Sequence, residues 1–193
     1  MRYKSTRGGV SGLSFEEAVM MGLASDGGLL IPEKIPLLNE KDLKHLFELP
    51  YTKLAYEIIN RYQDGIPSND LMAIIQKSYA KYDTVNMIPV RKAAGMRIAE
   101  LYHGPTYSFK DVALQFLGNL FEYILTKKGQ KLNILGATSG DTGSAAIYGV
   151  KGRKNINVFM LYPANRVSHV QEMQMTTTES VSYTHLTLPT ICS

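Results

Sequence analysis

Two glycine-containing segments carry the residue types that most often do chemistry. The first, GATSGDTGSAA, begins at Gly136 and lies between a predicted strand and a predicted helix. Glycine permits a tight backbone there, and the unpaired N–H groups at a helix start can bind an anion. The glycine spacing is not that of a P-loop or of a dinucleotide fingerprint. The segment therefore favours a carboxylate or phosphate site, with a turn that merely requires glycine as the alternative.

The polar side chains in this segment could serve either a ligand or the local structure. Ser139 and Thr142 can donate hydrogen bonds to a ligand, or they can simply cap the helix. Asp141 beside an anion is unfavourable unless its carboxylate faces the backbone, so its presence weakens the argument for an anion.

The second segment, HGPTYSFKD, runs from His103 to Asp111. Ser108 and Asp111 have the spacing of a capping pair, which predicts Lys110 in the first turn of a long helix. The helix dipole opposes an exposed cation at that end by about 0.3 to 1 kcal/mol. Such a position suits a lysine that acts as a neutral amine in Schiff-base chemistry, although a solvated surface lysine fits it equally well.

Three further residues bear on chemistry. His103 could carry a proton, but packing or capping a turn is the commoner role of such a histidine. Arg7, within STRGG, could grip a phosphate with its guanidinium, although its spacing also fits an ordinary polar segment. One cysteine, Cys192, excludes a disulfide framework and a cysteine-based zinc site, and we predict no metal site.

Composition sets the class of protein. A chain of 193 residues that is 45% hydrophobic and 20% charged is globular, with one large or two small domains. The net charge of +4 comes from scattered bases, which suits a small anionic ligand and predicts no nucleic-acid partner. No apolar stretch is long enough to span a bilayer, and none follows the basic N-terminus. We therefore expect a cytoplasmic protein without membrane partners.

The periodicity changes along the chain and predicts two domains. Residues 1–88 should be mainly helical, because a capping box at Ser14 opens a helix over 15–23 and three helical patterns follow. Residues 89–178 read as strand 97–102, a long helix, strand 132–137, helix 144–150 and strand 158–162, which predicts a parallel sheet with right-handed crossovers. Each of the three helical patterns and the long helix is predicted to bury one stripe of side chains. The four stripes are Leu43, Leu46 and Phe47; Tyr51, Leu54, Ala55, Ile58, Ile59 and Tyr62; Leu71, Ile74, Ile75 and Tyr79; and Val112, Ala113, Phe116, Leu117, Leu120, Phe121 and Ile124.

The last residues differ from the rest. VSYTHLTLPTICS, over 181–193, has no charge and no periodicity, and VSYTHL resembles the translation of a sequencing adapter. We interpret 181–193 as a non-native tail and leave it out of the fold prediction. The alternative is a genuine but unstructured C-terminus.

Several motifs together resemble the threonine synthase family, including its threonine synthase-like branch. They are YKSTRG, DGGLLIP, HGPTYSFKD, GATSGDTGSAA and LYP with QEMQMTT, in the family's order and spacing from Arg2 to about Thr177. The resemblance implies a pyridoxal-phosphate enzyme of fold type II, similar to tryptophan synthase β. The implied fold is α/β, with a helical N-terminal unit before a three-layer αβα subdomain that is incomplete at its C-terminus.

The resemblance also implies roles for individual residues. Lys110 would bind the cofactor covalently and then act as base or acid, with Phe109 beside the cofactor. Ser139, Gly140, Asp141 and Thr142 would hold the α-carboxylate of the substrate, O-phosphohomoserine, and Thr138 and Gly143 would add backbone amides. Arg7 would meet the substrate's phosphate. The family reaction yields threonine and phosphate.

Three alternatives remain at this point. The family's cradle for the cofactor phosphate and its partner for the pyridine nitrogen lie further along than this sequence extends, so we expect a fragment that is inactive alone. The motifs do not separate a synthase from a phospho-lyase that releases a 2-oxo acid. A non-catalytic partial domain is the alternative from a different class.

Overall fold

The computed structural model describes residues 1–163, 166–178 and 183–188. The chain divides into two compact units, 1–76 and 77–193. The first contains β1 (Tyr3–Ser5), α1 (Phe15–Met21), β2 (Leu30–Pro32), α2 (Glu40–Phe47), α3 (Tyr51–Asn60) and most of α4 (Ser68–Tyr79). The second contains β3 (Val90–Ala93), β4 (Met96–Ala99), α5 (Asp111–Lys128), β5 (Leu132–Ala137), α6 (Asp141–Val150), β6 (Ile156–Pro163), α7 (His169–Thr176) and β7 (Tyr183–Leu188). Domain boundaries at 88 and 178 stay a prediction.

The first unit has the mainly helical character that its sequence predicts. Ser14 and Glu17 form the predicted capping box at the start of α1, and the helix ends at Gly22, whose φ of 68° is left-handed. The buried stripe predicted for α2 is wrong in part, because Leu46 is buried whereas Phe47 is 86% exposed. Neighbouring side chains on a helix point about 100° apart, and here that rotation turns Phe47 toward solvent.

The second unit is built on a parallel sheet in the order β5, β6, β7. β5 pairs with β6 from Leu132 opposite Ile156, which confirms the predicted strand–helix–strand arrangement. Alternate residues of β6 are buried, whereas Leu135 on the opposite face of β5 is 71% exposed. The sheet therefore buries one face in the described part of the chain.

The backbone of β7 pairs with β6 in parallel, within the segment that we interpret as a non-native tail. We predicted no element there, and the origin of this segment stays a prediction. Residues 179–182 and 189–193 lie outside the described residues.

The long helix α5 buries a different face from the predicted one. Leu120 and Ile124 are buried as expected, but so are the polar residues Gln115 and Asn119. Asn119 Nδ2 donates to the carbonyl of Gln115 at 2.9 Å and to Ser78 Oγ at 3.0 Å. These hydrogen bonds offset the cost of burying polar side chains. Hydrophobic periodicity does not indicate such partners, so it could not predict which face of α5 is buried.

Two glycines allow α5 and α6 to pack backbone against backbone. A Cβ atom at Gly118 would overlap the carbonyl oxygen of Gly149, and one at Gly149 would overlap the carbonyl oxygen of Leu114. No side chain separates the helices at this point, so neither position has room for a larger residue.

A hairpin of β3 and β4 precedes the HGPTYSFKD segment and was not predicted. Ala94 and Gly95 form its two-residue loop, and both have positive φ, 48° and 77°. Two successive residues with positive φ are typical of a type I′ hairpin turn. Strand 97–102 of the prediction is therefore shorter and lies at 96–99.

Candidate active site

The GATSGDTG segment connects the carboxyl end of β5 to the start of α6. Gly140 caps the helix with a φ of 143°, which L side chains rarely adopt, and a Cβ atom there would also meet the side chain of Gln171 at 2.5 Å. Carboxyl ends of parallel strands are the usual place for ligands in α/β sheets. The loop is therefore well placed for the predicted anion site.

Thr138 organises this loop from the inside. Its buried hydroxyl accepts hydrogen bonds from the N–H groups of Gly140 at 3.1 Å and Gly143 at 2.9 Å. Its own N–H donates to the carbonyl of Leu161 in the neighbouring strand. The N–H groups of Thr138 and Gly143 thus already have acceptors within the protein, and their role in substrate binding stays a prediction.

The remaining amides of the loop point to a ligand position. Within the described residues, the N–H groups of Ser139, Asp141 and Thr142 donate to no acceptor. The side chains of Ser139 and Thr142 are exposed beside them. Together these donors and the positive end of the helix dipole form a site for a carboxylate or a phosphate.

Asp141 does not oppose an anion as strongly as its charge suggests. Its Oδ1 accepts a hydrogen bond of 2.5 Å from Gln171 Nε2, so the carboxylate is engaged by α7. Gln171 also accepts from Ser168 in the capping box that opens α7. Sequence reasoning missed the role of this glutamine, although the QEMQMTT motif contains it.

Lys110 occupies the N-cap of α5, with helical φ and ψ of −66° and −19°. The predicted cap by Ser108 is wrong, because Ser108 Oγ accepts from the N–H of Lys110 at 3.3 Å and a turn precedes the helix. Lys110 thus lies one residue before the first helical turn, still at its positive end. Its Nζ lies 4.5 Å from the centroid of the Phe109 ring, which is 58% exposed.

Asp111 fixes the turn that carries Lys110. Its fully buried carboxylate accepts from Thr106 N at 2.8 Å, from Thr106 Oγ1 at 3.0 Å and from Gln115 Nε2 at 3.3 Å. Burial raises the pKa of this carboxyl, and the hydrogen bonds oppose that change. A Cβ atom at Gly104 would meet the Asp111 side chain at 2.5 Å, so this glycine is needed for the close approach.

One face of α7 contacts both candidate segments. Gln171 binds Asp141 in the segment over residues 136–143, which we call the anion loop. Gln174 Nε2 donates to the carbonyl of Thr106 at 3.3 Å, in the turn over residues 104–110, which we call the lysine turn. Residues three apart lie on the same face of a helix. The structure therefore brings the lysine turn and the anion loop to the same helix.

His103 lies at the start of the lysine segment and is buried. Its Nδ1 is 2.7 Å from Asp83 Oδ1, and its Nε2 is 2.9 Å from Glu100 Oε2. Both carboxylates raise the pKa of the ring, Glu100 foremost. The commoner role weighed for this residue, packing within the fold, describes its surroundings better than a free proton carrier does.

Arg7 belongs to the first unit, whereas the other predicted site residues belong to the second. Its Nη1 donates to the carbonyl of Asp26 at 3.1 Å. The Asp26 carboxylate accepts from Ser5 Oγ at 2.7 Å, Gly9 N at 2.7 Å and Gly28 N at 2.9 Å. These bonds, that of Ser5 foremost, lower the pKa of Asp26. Sequence reasoning included Asp26 only as the first residue of the DGGLLIP motif and gave it no role in this loop.

No cluster of three or more potential metal ligands occurs among residues 1–163, 166–178 and 183–188. No helix in the same part of the chain is both long and apolar enough to cross a membrane.

Comparison of folds defines the class of protein. The structure of a PLP-bound threonine synthase from Brucella melitensis matches this chain with a TM-score of 0.92 and 38% identity, over 97% of this chain and 41% of that one. The mixed α/β fold is therefore that of a pyridoxal-phosphate enzyme, present in part.

Sequence comparison gives the family. Residues 2–79 match the family model described as the threonine synthase N terminus. Threonine synthase of Schizosaccharomyces pombe is 48% identical over 91% of this chain and 36% of its own length, and threonine synthase-like 2 of Xenopus laevis is 39% identical over 92% and 38%. The chain belongs to the threonine synthase family and spans less than two-fifths of the length of these curated relatives.

Proposed function

We propose that the parent protein, meaning the complete protein that carries this sequence, converts O-phospho-L-homoserine and water to L-threonine and phosphate in threonine biosynthesis. The observation that carries the proposal is the attachment of the lysine turn and the anion loop to one face of α7. An amine and an anion site on one helix suit a reaction at the α-carbon of an amino acid. We place this activity in the cytoplasm.

The residues present fit pyridoxal phosphate as the cofactor. Lys110 is a half-buried primary amine with no carboxylate partner in the described residues, so it is available to react with an aldehyde. The exposed ring of Phe109 beside it offers an apolar surface to an aromatic ring. When bound, the cofactor would supply an electron sink that stabilises negative charge at the substrate's α-carbon.

Each candidate residue has a defined task in this proposal. The Lys110 amine removes the proton from the α-carbon of the substrate and returns protons later in the reaction. The N–H groups and hydroxyls of Ser139 to Thr142 hold the α-carboxylate, with Gly140 allowing close approach.

The decisive experiment measures products from the purified parent protein supplied with pyridoxal phosphate and O-phosphohomoserine. We expect threonine and phosphate in equal amounts. A phospho-lyase is the second candidate, because the sequence motifs do not separate it from a synthase, and it would release phosphate with a 2-oxo acid and no threonine. Release of neither product would contradict both and leave a non-catalytic role.

Thr142→Val in the parent protein should weaken substrate binding without changing the fold. The substitution removes one hydrogen bond to a charged carboxylate, which is worth about 1.5 to 3 kcal/mol and corresponds to a loss of about 10- to 150-fold in affinity. Titration of substrate against the loaded enzyme measures the effect. Thr126→Val, at an exposed position near the end of α5, is the matched control and should leave affinity unchanged. Equal affinity of wild type and Thr142→Val would remove Thr142 from the site.

A further inference from the structure

His103 is enclosed by acceptors on both ring nitrogens. Asp83 Oδ1 lies 2.7 Å from Nδ1, and Glu100 Oε2 lies 2.9 Å from Nε2. A neutral imidazole has only one N–H, so it would turn one ring lone pair toward a carboxylate oxygen. Only the doubly protonated ring donates to both, which means that the geometry favours the imidazolium.

The other groups around the ring support this charge state. Arg91 Nε binds the second oxygen of Glu100 at 2.7 Å, which holds that carboxylate in place. The pKa of the Glu100 carboxyl is lowered, chiefly by its hydrogen bond to His103. The ring of Tyr102 lies 4.7 Å from the ring of His103, and burial raises the pKa of its hydroxyl. Asp83 and Glu100 are thus the charged groups that face His103, and Arg91 reaches it through Glu100.

The same cluster anchors the segment that carries Lys110. The N–H of Asp83 donates to the carbonyl of His103 at 3.2 Å, so side chain and backbone are held by one residue. At the other end of the segment, Asp111 binds Thr106. The turn over residues 104–110 is therefore fixed at both ends by buried charged side chains, His103 and Asp111.

We propose that His103 is a positioning residue for Lys110. Its imidazolium bridges Asp83 and Glu100 and thereby holds the turn over residues 104–110 in the conformation that keeps the Lys110 amine at the start of α5. This inference rests on the proposed role of Lys110. The clamp, by which we mean the contacts of His103 with Asp83 and Glu100, is formed by this chain's own residues. His103 touches no reacting atom in this account.

The clamp implies a dependence on pH whose sign follows from the raised pKa of His103. A histidine with a raised folded-state pKa contributes its full stabilisation below its unfolded pKa of about 6.5. That contribution is lost as the pH rises through the raised folded value. The turn over residues 104–110 should therefore become less ordered as the pH rises through the folded-state pKa of His103.

The test uses the parent protein labelled with ¹⁵N-histidine, together with hydrogen exchange of the amides of residues 104–110. We expect the His103 ring nitrogens to carry two protons up to a pH above the ordinary histidine value, because both face carboxylate oxygens. We expect severalfold faster exchange of the turn in His103→Gln and Asp83→Asn, with β5 and α6 unchanged. His169→Gln, at an exposed histidine of the same unit, is the control and should have no effect.

Asp83→Asn also separates positioning from a merely structural role. This variant removes one negative charge from a carboxylate whose side chain is 57% exposed, so the fold should tolerate it. We expect the pH at which His103 titrates and the pH at which the turn loses protection to move down together. A neutral ring near pH 7, or turn protection that does not follow the titration, would overturn the proposal. Neither readout needs turnover, so failure of the proposed reaction would appear separately, as wild-type protein that makes no product.

Discussion

Lys110→Ala in the parent protein should abolish turnover of O-phosphohomoserine and the visible absorbance of a covalently held cofactor. The alanine has no amine to bind an aldehyde or to remove a proton, and loss of a positioned base costs about 10²- to 10⁴-fold in rate. Loss of covalent attachment adds to that. Absorbance of the loaded protein and the rate of threonine formation are the two measurements.

Lys131→Ala is the matched control for this substitution. Lys131 is an exposed lysine that precedes β5, and we expect its removal to leave both absorbance and rate unchanged. If Lys110→Ala retains the absorbance band and the rate, then another amine binds the cofactor and the assignment of Lys110 is wrong.

Gly118→Ala should lower the free energy of unfolding by about 3 kcal/mol, within the upper range of overpacking effects. The new Cβ atom would overlap the carbonyl oxygen of Gly149, which is backbone and cannot turn away as a side chain can. The helices must therefore separate, which exposes part of the core around Ile147 and Leu120. Urea unfolding of the parent protein, followed by circular dichroism, measures the change.

Helix propensity alone predicts that Gly118→Ala raises the free energy of unfolding, so the measured sign distinguishes the two effects. Alanine is better than glycine within a helix by about 1 kcal/mol, so an uncrowded site would be stabilised. Ala113→Gly, at an exposed position of the same helix, reports the propensity effect alone and should destabilise by about that amount. A Gly118→Ala protein as stable as wild type would show that the two helices are not in backbone contact.

Local signals in the sequence predicted much of the fold. The capping box at Ser14, the strand before Gly136 and the helix after it are short-range features, and the structure has them where expected. The parallel pairing of β5 and β6 followed from a strand–helix–strand order, because short connections leave few alternatives. The family resemblance added the identity of the chemistry, which spacing alone left open.

The errors in the fold prediction have two physical causes: hydrogen-bonded polar side chains that are buried, and a residue with an unusual backbone conformation. Hydrophobic periodicity selected the wrong face of α5 because Gln115 and Asn119 are buried with hydrogen-bond partners, one of them Ser78. The hairpin of β3 and β4 was missed because Ala94 adopts positive φ, which favours glycine or asparagine in most chains.

In the candidate site, too, the sequence indicated some residues and missed others. Lys110 and the loop from Ser139 to Thr142 were identified from local pattern and resemblance, and their roles stay predictions. Among the residues that hold them, Asp83, Gln171 and Gln174 gave no local signal because each acts on a segment far along the chain. Glu100 lies only three residues before its partner His103, but no capping or periodic pattern marks that pair. Asp26 was missed because its partners Ser5 and Gly9 lie in another loop.

The two glutamines of α7 have a mechanical consequence. Because Gln171 and Gln174 tie the anion loop and the lysine turn to a single helix, these two parts cannot drift apart without breaking a hydrogen bond. Under the proposed function, the spacing between the Lys110 amine and the loop from Ser139 to Thr142 would then be set before substrate arrives. Such preorganisation spares the reaction the cost of bringing its groups together. Any opening that admits substrate must therefore move this assembly as a unit or involve other parts of the protein.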